Sequence, residues 1–221
     1  LDLPLEKVNM TPPDTLVNPF DFGLVGSRGT YAVGSAVIKA AEAARRNLFD
    51  LAAPVMGVQS EDLDTKDGKI FAVHNPEKAI PWRRVMGIMQ TCLGQGRFET
   101  DFTLPNFMMV FAEVEVDTET GKADLKRIVA ATDCGQVIDP QVLEGQLHGS
   151  LGAAGTDTAL CEETIIDERN GRIMNGNMID YKWRIYPDLP EFKTVVLETP
   201  MPSHRFGAIG VGEISTAPGP A

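Results

Sequence analysis

Cysteine is scarce in this chain. Its 221 residues hold three, Cys92, Cys134 and Cys161, far apart and odd in number. That argues against a disulfide framework. No Cys-x-x-Cys pair occurs, so no spacing suits an iron–sulfur cluster or a structural zinc site. Reduced thiols in a cytoplasmic protein are the reading that follows. Basic residues are also few: 20 Lys and Arg face 31 Asp and Glu, for a net charge of −11. No block of Lys and Arg interrupts that acidity, which argues against nucleic-acid binding. No apolar run approaches the ~20 residues of a membrane span. The opening Leu-Asp-Leu-Pro lacks the basic-then-apolar pattern of a signal peptide. The three histidines, His74, His148 and His204, share no ligand-like spacing and read as structural or surface residues. The first residue is not Met, and the last seven, Ser-Thr-Ala-Pro-Gly-Pro-Ala, stop inside a turn-like stretch. Both ends are therefore expected to be cut.

What the chain does have is an apolar fraction of 43% and a charged fraction of 23%, enough for a real core. Its length suits one large domain or two small ones. Residues 11–26, rich in Pro, Asp, Asn and Gly, mark a loop. Helical periodicity begins near Thr30, with Val33, Val37, Ala40, Ala44, Leu48 and Leu51 on one stripe. Gly34, Ser35, Ala36, Ala40, Ala41, Ala43 and Ala44 would let that helix pack closely on another element. Lys66-Asp67-Gly68 signals a turn into a strand over Lys69–Val73. Pro81–Met89 suits a short helix with Pro near its start.

Further along, Met109–Asp117 and Ala123–Thr132 alternate as a hairpin about Thr118-Glu-Thr-Gly121. Val110, Ala112, Val114 and Val116 should be buried, and Glu113, Glu115 and Asp117 wet. Asp139-Pro140 reads as a helix cap plus first-turn proline. The glycines that follow, Gly145, Gly149 and Gly152, weaken a helix and suggest close approach of backbone to something else. Leu160–Asp167, Met178–Ile185 and Phe192–Glu198 read as strands. These patterns predict an α+β fold of two sheet-and-helix subdomains. The first, 1–100, carries the loop 25–30, and the second, 101–221, carries Gln146 and Glu213. The boundary falls in 95–105, where a long helix gives way to strands.

Three features could carry chemistry. Val25-Gly26-Ser27-Arg28-Gly29-Thr30 leads into the helix. Its glycines let a phosphate near backbone N–H groups, while Ser27, Arg28 and Thr30 add donors. The plainer alternative is capping by Ser27 or Thr30. Gln146 follows Asp133-Cys134-Gly135 and Asp139-Pro140, and its amide can both donate and accept; an exposed helix glutamine is the plain alternative. Phe206-Gly-Ala-Ile-Gly-Val-Gly-Glu213 lets backbone hug a bulky group beside one carboxylate that could act as a general base. A solvated loop Glu is its plain counterpart.

Taken in order, these segments resemble the molybdenum hydroxylase family of xanthine dehydrogenases and aldehyde oxidases. The resemblance rests on Gly26-Ser27-Arg28 before Val33-Gly34-Ser-Ala-Val37, and on Phe111-Ala-Glu-Val-Glu-Val-Asp117 with Thr120-Gly121. It also rests on Asp133-Cys-Gly135 with Pro140 and Glu144-Gly-Gln146, on Glu162-Glu163, on Asp180-Tyr181-Lys182 and on Gly210-Val-Gly-Glu213. Asp139 departs from the Asn often found before Pro; either caps a helix.

The resemblance implies the C-terminal part of a molybdopterin-binding subunit. Its oxidoreductase would hydroxylate an aromatic heterocycle or oxidise an aldehyde. Gly26, Ser27, Arg28, Gly29, Thr30, Gln146 and Gly212 would hold a molybdenum–pterin cofactor, possibly a dinucleotide, and Glu213 would be the general base. The glycines at 210 and 212 would keep side chains out of the space the metal ligands need. The protein would supply no metal ligand. Upstream cofactor segments are absent, so the chain is expected to be inactive alone. The remaining part of the subunit, with iron–sulfur and flavin subunits or domains, would be its partners. Two other function classes stand beside this one: a non-catalytic assembly subunit, and a phosphate- or nucleotide-binding module on the Gly26 loop. No Gly-Lys-Ser/Thr supports the latter.

Overall fold

A computed structural model describes residues 3–88, 91–99, 105–182 and 184–216, with backbone alone for Ala153 and Ser215. The fold is α+β. The chain falls into two compact units, Leu1–Gly23 with Ala32–Asp101, and Leu24–Tyr31 with Phe102–Ala221. The loop 25–30, assigned by sequence to the first subdomain, thus groups with the second unit. Its hydrogen bonds, described below, run to residues beyond 200. The expected boundary stretch, 95–105, lies partly outside the described residues. No helix among the described residues is long and apolar enough to cross a membrane.

The first unit is built on helix α1, Gly34–Met56. A left-handed glycine, Gly57, ends it and returns its N–H to the Ala53 carbonyl. The helix buries Leu48, Phe49, Ala52, Ala53 and Met56, a set spaced to share one face. Only Leu48 of the predicted stripe is fully buried; Val33, Val37 and Leu51 are exposed. The N-terminal half of α1 meets backbone instead of bulky side chains. A Cβ on Gly94 would strike the Ala40 carbonyl oxygen and stand 2.8 Å from the Ala44 Cβ, and one on Gly96 would strike the Ala36 carbonyl oxygen. This is the close packing that the small residues of α1 imply.

An antiparallel sheet of β1 (Leu63–Lys66), β2 (Lys69–Ala72) and β3 (Asn75–Pro81) adds Leu63 and Ile70 to that core. The turn at Asp67 and Gly68 joins β1 to β2, both residues at positive φ. Strands β1 and β3 lack the apolar alternation that reveals β2. Helix α2, Trp82–Met86, follows Pro81 and is shorter than expected; the predicted end at Met89 lies outside the described residues.

The second unit holds β4 (Phe107–Val116), β5 (Ala123–Asp133) and β8 (Glu191–Leu197), with β5 central. Strand β4 pairs antiparallel with β5 through the predicted turn, and β8 pairs parallel. A parallel return needs a long crossover. It runs through α3 (Pro140–Gly149), a π-type turn (Ser150–Gly155) and α4 (Thr156–Leu160). It then passes a two-residue ladder of β6 (Ile166–Asp167) and β7 (Arg172–Ile173). One sheet face packs Ile128 and Ala130 against Leu151, with Val110 and Phe192 half-buried beside them.

Three expectations change here. Ala112, Val114 and Val116 are exposed; at Val114 and Val116 the hairpin tip extends past β8, which flanks only Arg127–Asp133. Leu160–Asp167 is a strand only at its end, since α4 continues to Leu160. Met178–Ile185 forms no strand among its described residues. There the Asn177 side chain takes the Ile179 N–H at 2.8 Å, closing a local turn where a ladder bond would be needed.

Candidate cofactor site

Two turns and one helix build the site, all within the second unit. The first turn spans Val25–Ser27. Gly26 (φ 71°) and Ser27 (φ 56°) take left-handed conformations in succession. A five-residue π-type turn, Gly29–Val33, follows before α1. Neither Ser27 nor Thr30 caps α1: Val33 is the N-cap residue, and no side chain caps it. The Ser27 hydroxyl is engaged elsewhere, accepting the Gly212 N–H at 2.8 Å.

The second turn runs from Gly207 to Glu213. It is anchored at its base, where Gln136 N–H donates to the Gly207 carbonyl at 2.8 Å and Ile209 N–H to the Cys134 carbonyl at 2.7 Å. Higher up, the Asn106 side-chain amide donates to the Gly210 carbonyl.

The helix is α3. Asp139 accepts the N–H groups of Gln141 at 3.0 Å and Val142 at 3.1 Å, and Pro140 opens the first turn, the cap that the sequence announces. Leu143 and Leu147 bury one face. Asp139, Val142 and Gln146, spaced three and four apart, share a second face.

That second face looks into a cavity of about 540 Å³. Ser27, Gly29, Thr30 and Gln146 all line it, with Tyr31 and Gln136. Leu24, Val137, Val142, Leu143, Ile209 and Val211 give it apolar walls. Cys134 also borders it, and burial pushes that thiol up, which keeps it protonated. The cavity therefore offers mostly neutral donors and acceptors between apolar surfaces. The Asp139 carboxylate, already taken up by the Gln141 and Val142 N–H groups, is the one acidic group among the described residues that line it. The Gln146 side-chain amide makes no hydrogen bond among the described residues, so both of its ends are open to a ligand. No group of three or more His, Cys, Asp or Glu side chains gathers among the described residues.

Gly26, Arg28, Gly212 and Glu213 stand outside this lining. Glu213 is exposed, at φ 46°. Its Oε1 accepts the Gly26 N–H at 3.1 Å. No Lys or Arg forms an ion pair with it among the described residues. The Gly26 N–H, read from sequence as a phosphate donor, thus meets a carboxylate of the same chain. Gly210 and Gly212 are small for a local reason. A Cβ on either would strike the Gly26 carbonyl oxygen or the Ser27 hydroxyl, respectively. Gly145 and Gly149 have nothing within 4 Å of a Cβ position; of the three α3-region glycines only Gly152 is approached, by the Phe192 ring at 2.7 Å. Asn106, Gln136 and Tyr31 carry no motif, and sequence reasoning passed over them. The Tyr31 ring lies 5.7 Å from that of His204.

The family described as molybdopterin cofactor-binding domain matches residues 1–190. The xanthine dehydrogenase molybdenum-binding subunit of Escherichia coli O157:H7 is 30% identical over 208 residues, covering 90% of this chain and 28% of that protein. The carbon monoxide dehydrogenase large chain of Hydrogenophaga pseudoflava is 28% identical over 96% of this chain and 27% of its own length. Among solved structures, quinoline 2-oxidoreductase from Pseudomonas putida 86 superposes with a TM-score of 0.70 at 27% identity, over 93% of this chain and 27% of that one. The chain thus spans under a third of the length of these relatives.

Proposed function

Because the chain belongs to the molybdopterin cofactor-binding domain family, we propose that it forms part of the molybdenum-binding subunit of a cytoplasmic oxidoreductase. That enzyme hydroxylates an electron-poor carbon of an aromatic heterocycle or oxidises an aldehyde. The observation that carries this reading is the convergence of Ser27, Gly29, Thr30 and Gln146 on one cavity whose rim turn is hydrogen-bonded to Glu213. A pterin is flat, with donors and acceptors around its edge. Neutral hydroxyl and amide groups between apolar walls suit it, and the open Gln146 amide gives it a bidentate partner.

In this reading Ser27, Gly29, Thr30 and Gln146 hold the cofactor. Arg28 offers a planar, permanently charged fork to a phosphate tail. Gly26 and Gly212 let the two turns meet. When bound, the molybdenum–pterin group supplies Lewis-acid activation of water and accepts two electrons. Glu213 would serve as the proton acceptor beside it. Its carboxylate is fit for this: one oxygen is oriented by the Gly26 N–H, and no ion pair with Lys or Arg among the described residues competes for the charge. Iron–sulfur and flavin subunits or domains remove the electrons, and the remainder of the subunit completes the pocket. The chain by itself is inactive.

Replacement of Glu213 by Gln in the intact enzyme tests the assignment. It keeps size and hydrogen bonding but removes the base. Turnover should drop roughly 100- to 10,000-fold while molybdenum and pterin content stay at wild-type levels. Near-normal turnover with full metal loading would remove the role from Glu213, and loss of metal would make it structural.

A further inference from the structure

The turn at Gly26–Ser27 and the turn at Gly212–Glu213 grip each other through two crossed hydrogen bonds. Gly212 N–H donates to Ser27 Oγ at 2.8 Å, and Gly26 N–H donates to Glu213 Oε1 at 3.1 Å. Ser27 and Glu213 both sit at positive φ, 56° and 46°. Side-chain-bearing residues resist that region, and they stay there only when surrounding contacts over-determine them. The contacts are visible. Gly210 abuts the Gly26 carbonyl, Gly212 abuts the Ser27 hydroxyl, and Asn106 holds the Gly210 carbonyl from another side. Ser27 also lines the cavity, so a single side chain borders that space and fixes the neighbour of the carboxylate.

From this geometry we infer that Ser27 is a positioning residue. Its hydroxyl, held by the Gly212 N–H, fixes the backbone from which Glu213 projects and so sets where the carboxylate stands beside the cavity's rim. The inference rests on the reading of Glu213 as the base. It assigns Ser27 a task separate from holding the cofactor. Because the two turns share both bonds, displacing either one loosens the other.

The geometry of Gly212 supplies a sharp test. Its φ lies outside the left-handed region, so Ala suits the backbone there. The obstacle to a methyl group is the Ser27 hydroxyl; the Gln146 Oε1, at 3.6 Å, is an ordinary neighbour. Ser27→Gly removes that hydroxyl and tolerates a φ of 56°.

In the full-length subunit within its complex, Ser27→Gly should lower kcat roughly 10- to 100-fold, as expected when a reacting group is displaced. KM should stay within about twofold, and the drop should persist when turnover is counted per bound molybdenum. Gly212→Ala should also slow turnover. In the Ser27→Gly background the methyl group has room, so the double variant should be no slower than Ser27→Gly alone. Amide hydrogen exchange over residues 206–213, measured in cofactor-free full-length subunit, should accelerate in Ser27→Gly.

Unchanged kcat in Ser27→Gly overturns the inference. So does an activity loss fully accounted for by lost metal, and so do effects of the two variants that simply multiply. Exchange does not depend on what Glu213 does chemically. Unchanged exchange breaks the clamp whatever the role of Glu213. Accelerated exchange, with full turnover in Glu213→Gln, keeps the clamp and defeats the base assignment alone.

Discussion

Asp157 is 1% exposed, a depth at which carboxylates almost never occur without a partner. Arg184 meets it at 2.9 Å and is itself mostly buried. The two groups touch as charges without the alignment of a hydrogen bond, while Arg184 Nη1 donates to the Asp188 carbonyl at 3.2 Å. The pair ties α4 to the irregular segment that carries Asp180, Tyr181 and Lys182. The Tyr181 hydroxyl in that segment donates to Glu162, a bond that pushes the phenol up to about 12 and keeps it protonated. Breaking a buried pair strands a charge, which costs about 3–5 kcal/mol, whereas replacing both members by apolar groups is often close to neutral. Asp157→Leu in the full-length subunit should therefore lower the denaturation midpoint sharply, and Asp157→Leu with Arg184→Met should recover most of the loss. Equal midpoints for the two variants would show that the pair contributes little as a pair.

Strand β5 ends on a carboxylate that ties its own exit turn to the segment after β8. Asp133 Oδ1 accepts the Gly135 N–H at 3.1 Å and the Thr199 N–H at 3.2 Å. The Thr199 side chain, foremost, and these two N–H groups hold the Asp133 carboxyl below its ordinary value. The folded state thus binds this proton more weakly than the unfolded chain does. The stabilisation is complete above the unfolded value, near ~4, and fades as pH falls through the depressed one. Wild type should lose more stability between neutral pH and ~pH 3 than Asp133→Asn does, in urea melts of the full-length subunit; identical losses would refute the link. Elements of this kind were unevenly legible. The β4–β5 hairpin announced itself by alternation, and α3 by Asp139-Pro140. Leu63-Asp-Thr-Lys66 and Asn75-Pro-Glu-Lys-Ala-Ile-Pro81 show no period, so only pairing with β2 makes them strands. For the site, the loop 26–30, Gln146 and Glu213 stood out through their order along the chain. The bond from Gly212 to Ser27 did not, because no local pattern encodes a contact between residues 185 positions apart.

At the scale of the molecule, the second unit's sheet presents an uncovered apolar face. Phe107, Met109 and Phe111 on β4 are 68%, 62% and 60% exposed, and Val195 and Leu197 on β8 share their side of the sheet. Patches of large apolar groups promote association. The chain expressed alone should self-associate at micromolar concentration, and Phe107→Lys with Phe111→Glu should shift light scattering towards monomer. A monodisperse wild-type monomer would count against this. The bonds between the two site turns carry a further consequence, one of timing. Gly26 and Glu213 lie 187 residues apart. At ~5–20 residues per second, a ribosome delivers the second turn roughly 10 to 40 s after the first. Throughout that interval the cavity lacks one of its rims, so a ligand that needs both rims can be gripped only after residue 213 has been made.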